Sequence, residues 1–454
     1  MKHLVVILGC TGTGKSKLAI QLAKRFGGEI VSADSMQIYK GLDIVTNKVT
    51  ETEADGVPHH LLGFLSPLSL GFTVVQFKKL ASSVIADIWD RGKLPIVVGG
   101  TAYYIESLLW NCLIENPPEQ DYQLDTSNLG FLISSMPSHL VSMNSADLHE
   151  ELKRLDPDRA NEIHPNDVKR VTRALQIYHQ HGRTQSELFQ EKLRQEGTRL
   201  GGRSLLASDG LCLFWLQSEL GALNRRLNCR VDEMVQLGLR QELEQFYDQH
   251  YADYCRELDQ YRSYTAIVQE KGVFQSIGIK EFLDYLHLTP AERGTADGDA
   301  LFWKCVDQLK LAHQQYARKQ IQRIKGRFVR RCGRRTVPVY ALDATDTSLW
   351  SESALEPAVE TVSQIVAGQV PSHSPMPVDE QEIDDDALRK MIRCDVCDRV
   401  FMGRKQLEDH LKSKSHKYFA KKLRTEFAES AENAELDSNA VLADRTVNLC
   451  VTSS

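Results

Sequence analysis

Apolar side chains fill the run from residue 4 to residue 8 and stop at Gly9; residues 15–26 then place Leu18, Ala19, Leu22 and Ala23 at a spacing near 3.6. The first pattern predicts a buried strand and the second an amphipathic helix, so the chain opens as strand, loop, helix. Ile30-Val31-Ser32 reads as a second strand, 84–89 as a helix, 95–98 as a third strand and 101–110 as a helix entered through Gly99-Gly100. Alternation of this kind argues for a parallel sheet covered by helices. After about residue 115 the strand signal fades, and amphipathic helical segments dominate over 167–179, 222–247 and 302–328. Pro371, Pro375 and Pro377, followed by Asp379, Glu380, Glu382, Asp384, Asp385 and Asp386, have the composition of a linker that cannot build a core.

Composition adds bounds. At about 150 residues per domain, 454 residues make two or three folded units with tails. Apolar residues at 42% and charged residues at 26% are a globular balance, which excludes a fibre or a wholly disordered chain. No apolar run approaches the roughly 20 residues that span a bilayer. The first strand begins almost at once, with neither a signal h-region nor an Arg/Ser-rich presequence, so a cytoplasmic location is expected. The net charge of −6 argues, as an average, against nucleic acid. Ten cysteines are scattered, with only Cys394 and Cys397 close together, which fits a reducing compartment and a metal site better than a disulfide framework.

Three segments carry chemistry. Gly9, Cys10, Thr11, Gly12, Thr13, Gly14, Lys15 and Ser16 spell G-x-x-x-x-G-K-S between a strand and a helix. Backbone N–H groups of such a loop converge on phosphate oxygens, Lys15 adds a point charge and Ser16 can hold Mg²⁺. A kinase or NTPase should also carry an apolar strand ending in Asp, whereas 96–98 runs into Gly99-Gly100-Thr101. The acid at a strand's carboxyl end is Asp34, which reads either as a site acid beside the loop or as a turn acid. Further on, Cys394, Cys397, His410 and His416 have C2H2 spacing, with Phe401 and Leu407 as a two-residue core. Four ligands close the site, so the zinc is structural, and Lys412, Lys414, Lys417, Lys421, Lys422 and Arg424 suit a nucleic-acid partner, with a protein-binding finger as the other reading. Residues 310–335 hold ten Lys/Arg and no acid, while Leu309, Tyr316, Ile321, Ile324 and Phe328 keep a helical apolar face. One face can pack while another meets phosphates. Lys169, Arg170 and Arg173 supply a second cationic helix face.

Together with Ser32-Ala33-Asp34-Ser35-Met36-Gln37-Ile38-Tyr39, His164-Pro165-Asn166-Asp167, Arg170-x2-Arg173, Arg226-Leu227-x2-Arg230, Gln275-Ser276-Ile277-Gly278 and Tyr316-Ala317-Arg318-Lys319-Gln320, these segments closely resemble the tRNA dimethylallyltransferases. The appended finger is similar to the eukaryotic form. The resemblance covers about residues 3–330. It implies transfer of a dimethylallyl group from its diphosphate to N6 of the adenine at tRNA position 37, beside the anticodon. It assigns Asp34 as general base, Thr101 to the reaction centre, Arg226 or Arg230 to the departing diphosphate, and residues 9–16 with Mg²⁺ to the donor. It places Asp34, Ser35, Met36, Gln37, Thr101, Lys169, Arg170, Arg173, Gln275, Arg318, Lys319 and Arg323 against tRNA. Thr46 and Lys48 match a family stretch whose glycine is absent here; Gln314 and Arg323 stand where that family has Arg and Trp.

The expected fold is thus α/β: a P-loop core with a parallel sheet over 1–115, a helical tRNA-contacting insertion over 116–220, and a return to the core with basic helices over 221–335. A connecting segment and acidic linker over 336–387 then lead to a ββα zinc finger over 388–425 and a disordered tail over 426–454. The expected partners are the tRNA anticodon stem-loop and dimethylallyl diphosphate, without a membrane and as a monomer. The resemblance leaves room for a mitochondrial or nuclear fraction, although no presequence is visible. The competing classes are a small-molecule or nucleoside kinase, suggested by the loop alone, and a non-catalytic nucleic-acid-binding adaptor, suggested by the finger and the basic helices.

Overall fold

The computed structural model describes residues 2–114, 137–141, 143–196, 210–259, 272–329, 337–377 and 390–421. The acidic stretch 379–386, residues 330–335 of the basic segment, Lys422, Arg424 and the tail lie outside them. The chain divides into two compact units, one from Met1–Asn144 with Leu175–Glu382 and the other from Ser145–Ala174 with Ile383–Ser454.

In the first unit, strands β1 (Leu4–Gly9), β2 (Glu29–Ser32), β3 (His59–His60), β4 (Pro95–Val98), β5 (Leu211–Gln217) and β6 (Val339–Asp343) form one sheet in the order β3-β2-β4-β1-β5-β6. Every pairing in it is parallel. The main helices are α1 (Lys15–Phe26), α2 (Val74–Asp90), α3 (Ala102–Leu109), α4 (Ser145–Leu155), α5 (Val168–His181), α6 (Leu220–Gln236), α7 (Leu239–Asp259), α8 (Ala296–Ile324) and α9 (Glu356–Val366).

The unbroken apolar run of β1 follows from burial on both sides. Leu4, Val6 and Leu8 join one core with Phe77, Ala81 and Ile85 of α2 and Ile105 and Leu108 of α3. Val5 and Ile7 point the other way, onto Leu18, Ala19 and Leu22 of α1 and Ala358 and Val362 of α9. A strand covered by helices on both faces has no polar side to show, hence a continuous apolar run instead of alternation. At about 1.5–3 kcal/mol per fully buried large aliphatic side chain, these two cores supply much of the driving force for folding.

The opposite, amino-terminal edge of the sheet is tied by Glu29. Its carboxylate takes Arg91 Nη2 at 2.8 Å, Lys93 Nζ at 2.7 Å and His60 Nε2 at 2.7 Å. These partners join the starts of β2 and β4 to β3, and Arg91 above all, then Lys93 and His60, hold the carboxyl well below the usual carboxylate range against the opposing effect of burial.

Three expectations need correction. The strand signal does not end near residue 115: β5 is a central strand paired with β1 over six residues, so the core resumes at 211 and not at 221. Residues 336–387 are not merely a connection, because β6 extends the sheet and α9 covers it. Leu211–Gln217, buried at six of its seven positions, is an apolar run that periodicity alone cannot assign to strand or helix. The single helix expected over 222–247 is two, α6 and α7, parted at Gly238, whose φ of +102° ends the first.

The second unit holds α4, the first residues of α5 and the small finger. Buried His149 of α4 anchors the chain that follows, its Nε2 lying 3.1 Å from the Ala160 carbonyl and 3.0 Å from that of Ile163. The finger is an antiparallel hairpin, β7 (Met391–Arg393) with β8 (Val400–Met402), followed by α10 (Arg404–Lys412). The Met391 N–H donates to the Asn161 carbonyl at 3.0 Å, so the finger is fastened to the α4–α5 connection. None of the described helices is long and apolar enough to cross a membrane.

Candidate active site

The phosphate loop leaves β1 at the carboxyl end of the sheet, where open α/β sheets bind ligands. Gly12 and Gly14 take left-handed conformations, φ +83° and +87°, which L side chains rarely adopt. A side chain at Gly14 would also meet the ring of Trp350 at 2.9 Å. Trp350 is held there by a hydrogen bond from its Nε1 to Gln21 Oε1 at 2.8 Å and by Lys17 Nζ, 4.8 Å from its ring centre. Inside the loop, Thr13 Oγ1 donates to the Cys10 carbonyl at 2.9 Å and Lys15 Nζ to the same carbonyl at 2.8 Å. Burial lowers the Lys15 ammonium pKa, with Asp34 and Cys10 working the other way, and burial raises that of the Cys10 thiol.

A cleft of about 630 Å³ opens over this loop. Its walls bring together Thr11, Gly12, Gly14, Lys15 and Ser16, then Asp34, Ser35, Met36 and Gln37 from the end of β2, Gly99 and Gly100 after β4, Arg230 of α6, Gln275 and Ser276, and His313, Tyr316, Gln320 and Arg323 of α8. Asp34 makes a turn contact and also lines the cleft. Its Oδ1 accepts the Met36 N–H at 2.9 Å, which is a turn contact, while Oδ2 lies beside Gly100 in the cleft. Thr101 sits at the start of α3, where its Oγ1 accepts the Ser35 N–H at 3.0 Å and lies 3.2 Å from Ser35 Oγ. It therefore braces the acid's loop and is not among the residues lining the cleft. Gln37 Nε2 donates to the carbonyls of Thr46 at 3.0 Å and Asn47 at 2.9 Å.

The two candidate arginines separate. Arg230 lines the cleft and its Nη2 donates to Thr11 Oγ1 at 2.8 Å, with Nε buried and without a partner. Burial pulls its pKa down to about 10, still cationic at neutral pH, so the site stores a desolvated positive charge that an anion would satisfy. Arg226, one helical turn earlier, gives its Nη2 to Ser218 Oγ and is not part of the lining.

Several residues of the site are absent from the sequence reading or enter it only as unexplained letters. Gln320 is buried and bridges two loops: its Oε1 accepts the Thr11 N–H at 2.8 Å and its Nε2 donates to the Gly100 carbonyl at 3.0 Å. His313 is buried beside Arg230 with Nδ1 unpartnered, and burial first, then the Arg230 cation, push its pKa down to about 3. Tyr316 has its phenol pKa raised by burial and then by Asp34, so it stays a protonated hydroxyl next to the acid. Nothing in spacing marks a lone Gln or His on a helix as a site residue; only the meeting of α8 with the two loops does. Gln314 bonds Asn228 Oδ1 at 2.9 Å, which makes it a strut between α8 and α6. Lys48 is likewise structural, its Nζ donating to the carbonyls of Tyr39 and Gly41 at 2.6 Å each.

The basic segment is partly spent on folding: Lys310 pairs with Asp232 at 2.6 Å, and Arg327 pairs with buried Glu106. Arg318 and Lys319 remain exposed on α8. Lys169 and Arg170 are exposed at the start of α5, Arg170 within 3.3 Å of Asp167, while Arg173 is half-buried; all three belong to the second unit.

In the finger the ligand atoms of Cys394, Cys397, His410 and His416 all lie within 4.8 Å of one another. His416 Nδ1 is 3.6 Å from Cys394 Sγ, 3.4 Å from Cys397 Sγ and 3.2 Å from His410 Nε2. A tetrahedron with zinc–ligand arms of about 2.0–2.3 Å has edges of roughly 3.3–3.8 Å, so the four residues fit structural Zn²⁺. Among the described residues this is the only group of three or more such side chains that could hold a metal.

Comparison with known proteins places these features in a family. Residues 37–327 match the model of the IPP transferases, residues 2–64 that of the isopentenyl transferases, and residues 392–416 a zinc-finger model of C2H2 type. The chain is 41% identical to a tRNA dimethylallyltransferase of Mus musculus over 93% of its length and 86% of that protein's. It is 40% identical to the Homo sapiens protein of the same description, over 96% and 88% respectively. Among solved structures, one of a eukaryotic dimethylallyltransferase acting on tRNA superposes with a TM-score of 0.74 at 29% identity, covering 95% of this chain and 99% of that one.

Proposed function

The chain belongs to the IPP transferase family, with tRNA dimethylallyltransferases as relatives at about 40% identity, and we propose that its cleft transfers a dimethylallyl group from dimethylallyl diphosphate to N6 of the adenine at tRNA position 37. The observation that carries this reading is the placement of Asp34 across one cleft from Lys15, Ser16 and Arg230. A carboxylate faces a cationic phosphate cradle, which is what a reaction needs when it takes a proton from one partner and releases an anion from the other.

The N6 lone pair forms the bond to C1 of the dimethylallyl group, the C1–O bond breaks with its electrons going to diphosphate, and the N6 proton goes to Asp34. An aromatic amine is a weak nucleophile, so a positioned base contributes about 10²–10⁴-fold. Lys15 and Arg230 oppose the charge that grows on the leaving diphosphate, in a site where burial makes each cation count for more. Ser16 lines the cleft with a free hydroxyl oxygen and no acidic cluster accompanies it among the described residues, a donor set that fits Mg²⁺ shared with diphosphate oxygens and water. Bound there, Mg²⁺ would neutralise charge on the leaving group. The adenine must leave its stack to reach Asp34. Tyr316 and Gln275 offer it polar edges, and exposed Arg318 and Lys319 offer the anticodon stem a phosphate contact.

A kinase reading is not favoured, since β4 ends in Gly99-Gly100 with no second acid, and an adaptor reading leaves the cleft without a purpose. The test incubates the purified chain with Mg²⁺, dimethylallyl diphosphate and unmodified tRNA and follows the mass of the adenine. A gain of one dimethylallyl group is expected, and Asp34→Ala should abolish it while tRNA binding persists. Phosphorylation from ATP with no prenyl transfer, or undiminished turnover in Asp34→Ala, would overturn the assignment.

A further inference from the structure

Gln320 is one of the few buried polar side chains of α8, at 2% exposure, and both ends of its carboxamide are engaged by main chain from different loops. Its Oε1 takes the N–H of Thr11 in the phosphate loop, and its Nε2 gives to the carbonyl of Gly100, the residue before Thr101. Thr11 is held a second time through its hydroxyl, by Arg230. Gly100 has no room for a side chain: a Cβ there would stand 2.4 Å from Gln320 Nε2 and 3.4 Å from Asp34 Oδ2. The carboxamide and the general base are therefore neighbours across a glycine. One turn back on the same helix, Tyr316 feels both of them.

We infer that Gln320 is a positioning residue that sets the distance between the donor loop and the acceptor base. A carboxamide is the neutral side chain that accepts at one atom and donates at the next, which is what an N–H from one loop and a C=O from the other require. It leaves the N–H groups of residues 13–16 for the anion while fixing the shoulder of the loop at Thr11. Because Arg318 and Lys319 sit on the outer side of this helix, the residue also connects the surface proposed to meet RNA phosphates with both reacting partners. The inference rests on the transfer reaction proposed above. It predicts that the reactants lose alignment when either bond is lost, and a misplacement of about 1 Å can cost on the order of 10²-fold in rate.

Two variants test it in the full-length chain. Gln320→Met keeps the volume and removes both hydrogen bonds; kcat should fall 10- to 100-fold and the affinity for inorganic diphosphate with Mg²⁺, read by calorimetry, should weaken about tenfold, with tRNA affinity unchanged. Gln320→Glu keeps the acceptor for Thr11, loses the donor for Gly100 and brings a second carboxylate beside Asp34. Like charges sharing a site raise a carboxyl pKa, so the acid limb of kcat/KM should move up by about one pH unit. A residue that only fills space would leave kcat and diphosphate affinity of Gln320→Met at the wild-type level, the volume being kept. Wild-type kcat and diphosphate affinity in Gln320→Met, or an unmoved acid limb in Gln320→Glu, would overturn the inference. Failure of the underlying reading looks different: wild-type protein that prenylates no tRNA removes the reaction, yet weaker diphosphate binding by Gln320→Met would still uphold the fastening of the loop.

Discussion

Arg226 and Arg230 lie four residues apart on α6, on one face of a helix, and spacing cannot separate residues that share a face. What separates them is what each guanidinium meets. Both keep a buried, unpartnered Nε, but Arg230 reaches Thr11 and lines the cleft, whereas Arg226 gives its Nη2 to Ser218 and does not line it. Removing a group that opposes charge on a leaving anion lowers kcat by about 10²–10³-fold. Arg230→Ala should show a loss of that size, and Arg226→Ala one at least tenfold smaller, in single-turnover transfer with saturating tRNA. Equal losses would mean that the Ser218 contact is given up when the donor binds. The same contrast marks the limit of the sequence at this scale. Residues 9–16 declare themselves because eight consecutive positions make one phosphate cradle. Gln320 acts through Thr11 and Gly100, Tyr316 sits beside Asp34 and His313 beside Arg230, all neighbours far along the chain, and no local pattern records that.

At the scale of elements, what was legible depended on whether the chain's own neighbours decide the structure. β1, α1, β2, β4 and α3 carry their periodicity openly, whereas the two-residue β3 leaves no such signal and only the last part of α2, over 84–89, shows in the sequence. β5 and β6 are strands because β1 and then β5 offer a free edge, so their assignment lives in tertiary pairing. Glu29 illustrates the same dependence: as a letter it is an ordinary acid opening β2, yet it collects Arg91, Lys93 and His60 from two other segments. Its carboxyl is depressed in the folded state, so its stabilising contribution is fully present above the carboxyl pKa of the unfolded chain and is lost as pH falls through the lower folded value. Glu29→Gln leaves Lys93 without its carboxylate and Arg91 with Asp87 alone, and because both cations are partly exposed it should cost about 1–2 kcal/mol at pH 7. The gap to the native chain should narrow steadily as denaturation is repeated below about pH 4, where the unfolded chain's carboxyls begin to hold their protons. A gap that is independent of pH would show that the pairing contributes through packing alone.

For the whole molecule, a net charge of −6 coexists with a cationic surface because the signs are sorted by position, and part of the positive charge is already neutralised at Lys310 and Arg327. The finger changes more than the charge balance. Read from composition it is a bead on an acidic tether, adding affinity by valency alone, and such a bead would contribute independently of every other contact. Its backbone bond to Asn161 instead makes it part of the unit that carries Lys169 and Arg170. Residues in one packed unit couple, whereas distant independent sites add within about 0.3–0.5 kcal/mol. His416→Ala, which breaks the zinc site, and Lys169→Ala with Arg170→Ala, which removes two exposed cations, therefore form a cycle with a definite expectation. Each should weaken tRNA binding and flatten its dependence on salt, since fewer phosphates are neutralised. The three substitutions together should cost at least 0.5 kcal/mol less than the two effects added separately, because loss of the zinc already frees the segment on which Lys169 and Arg170 are held. Transfer at saturating tRNA should persist throughout, as none of these residues lines the cleft. Strict additivity would return the finger to the status of an independent tethered module.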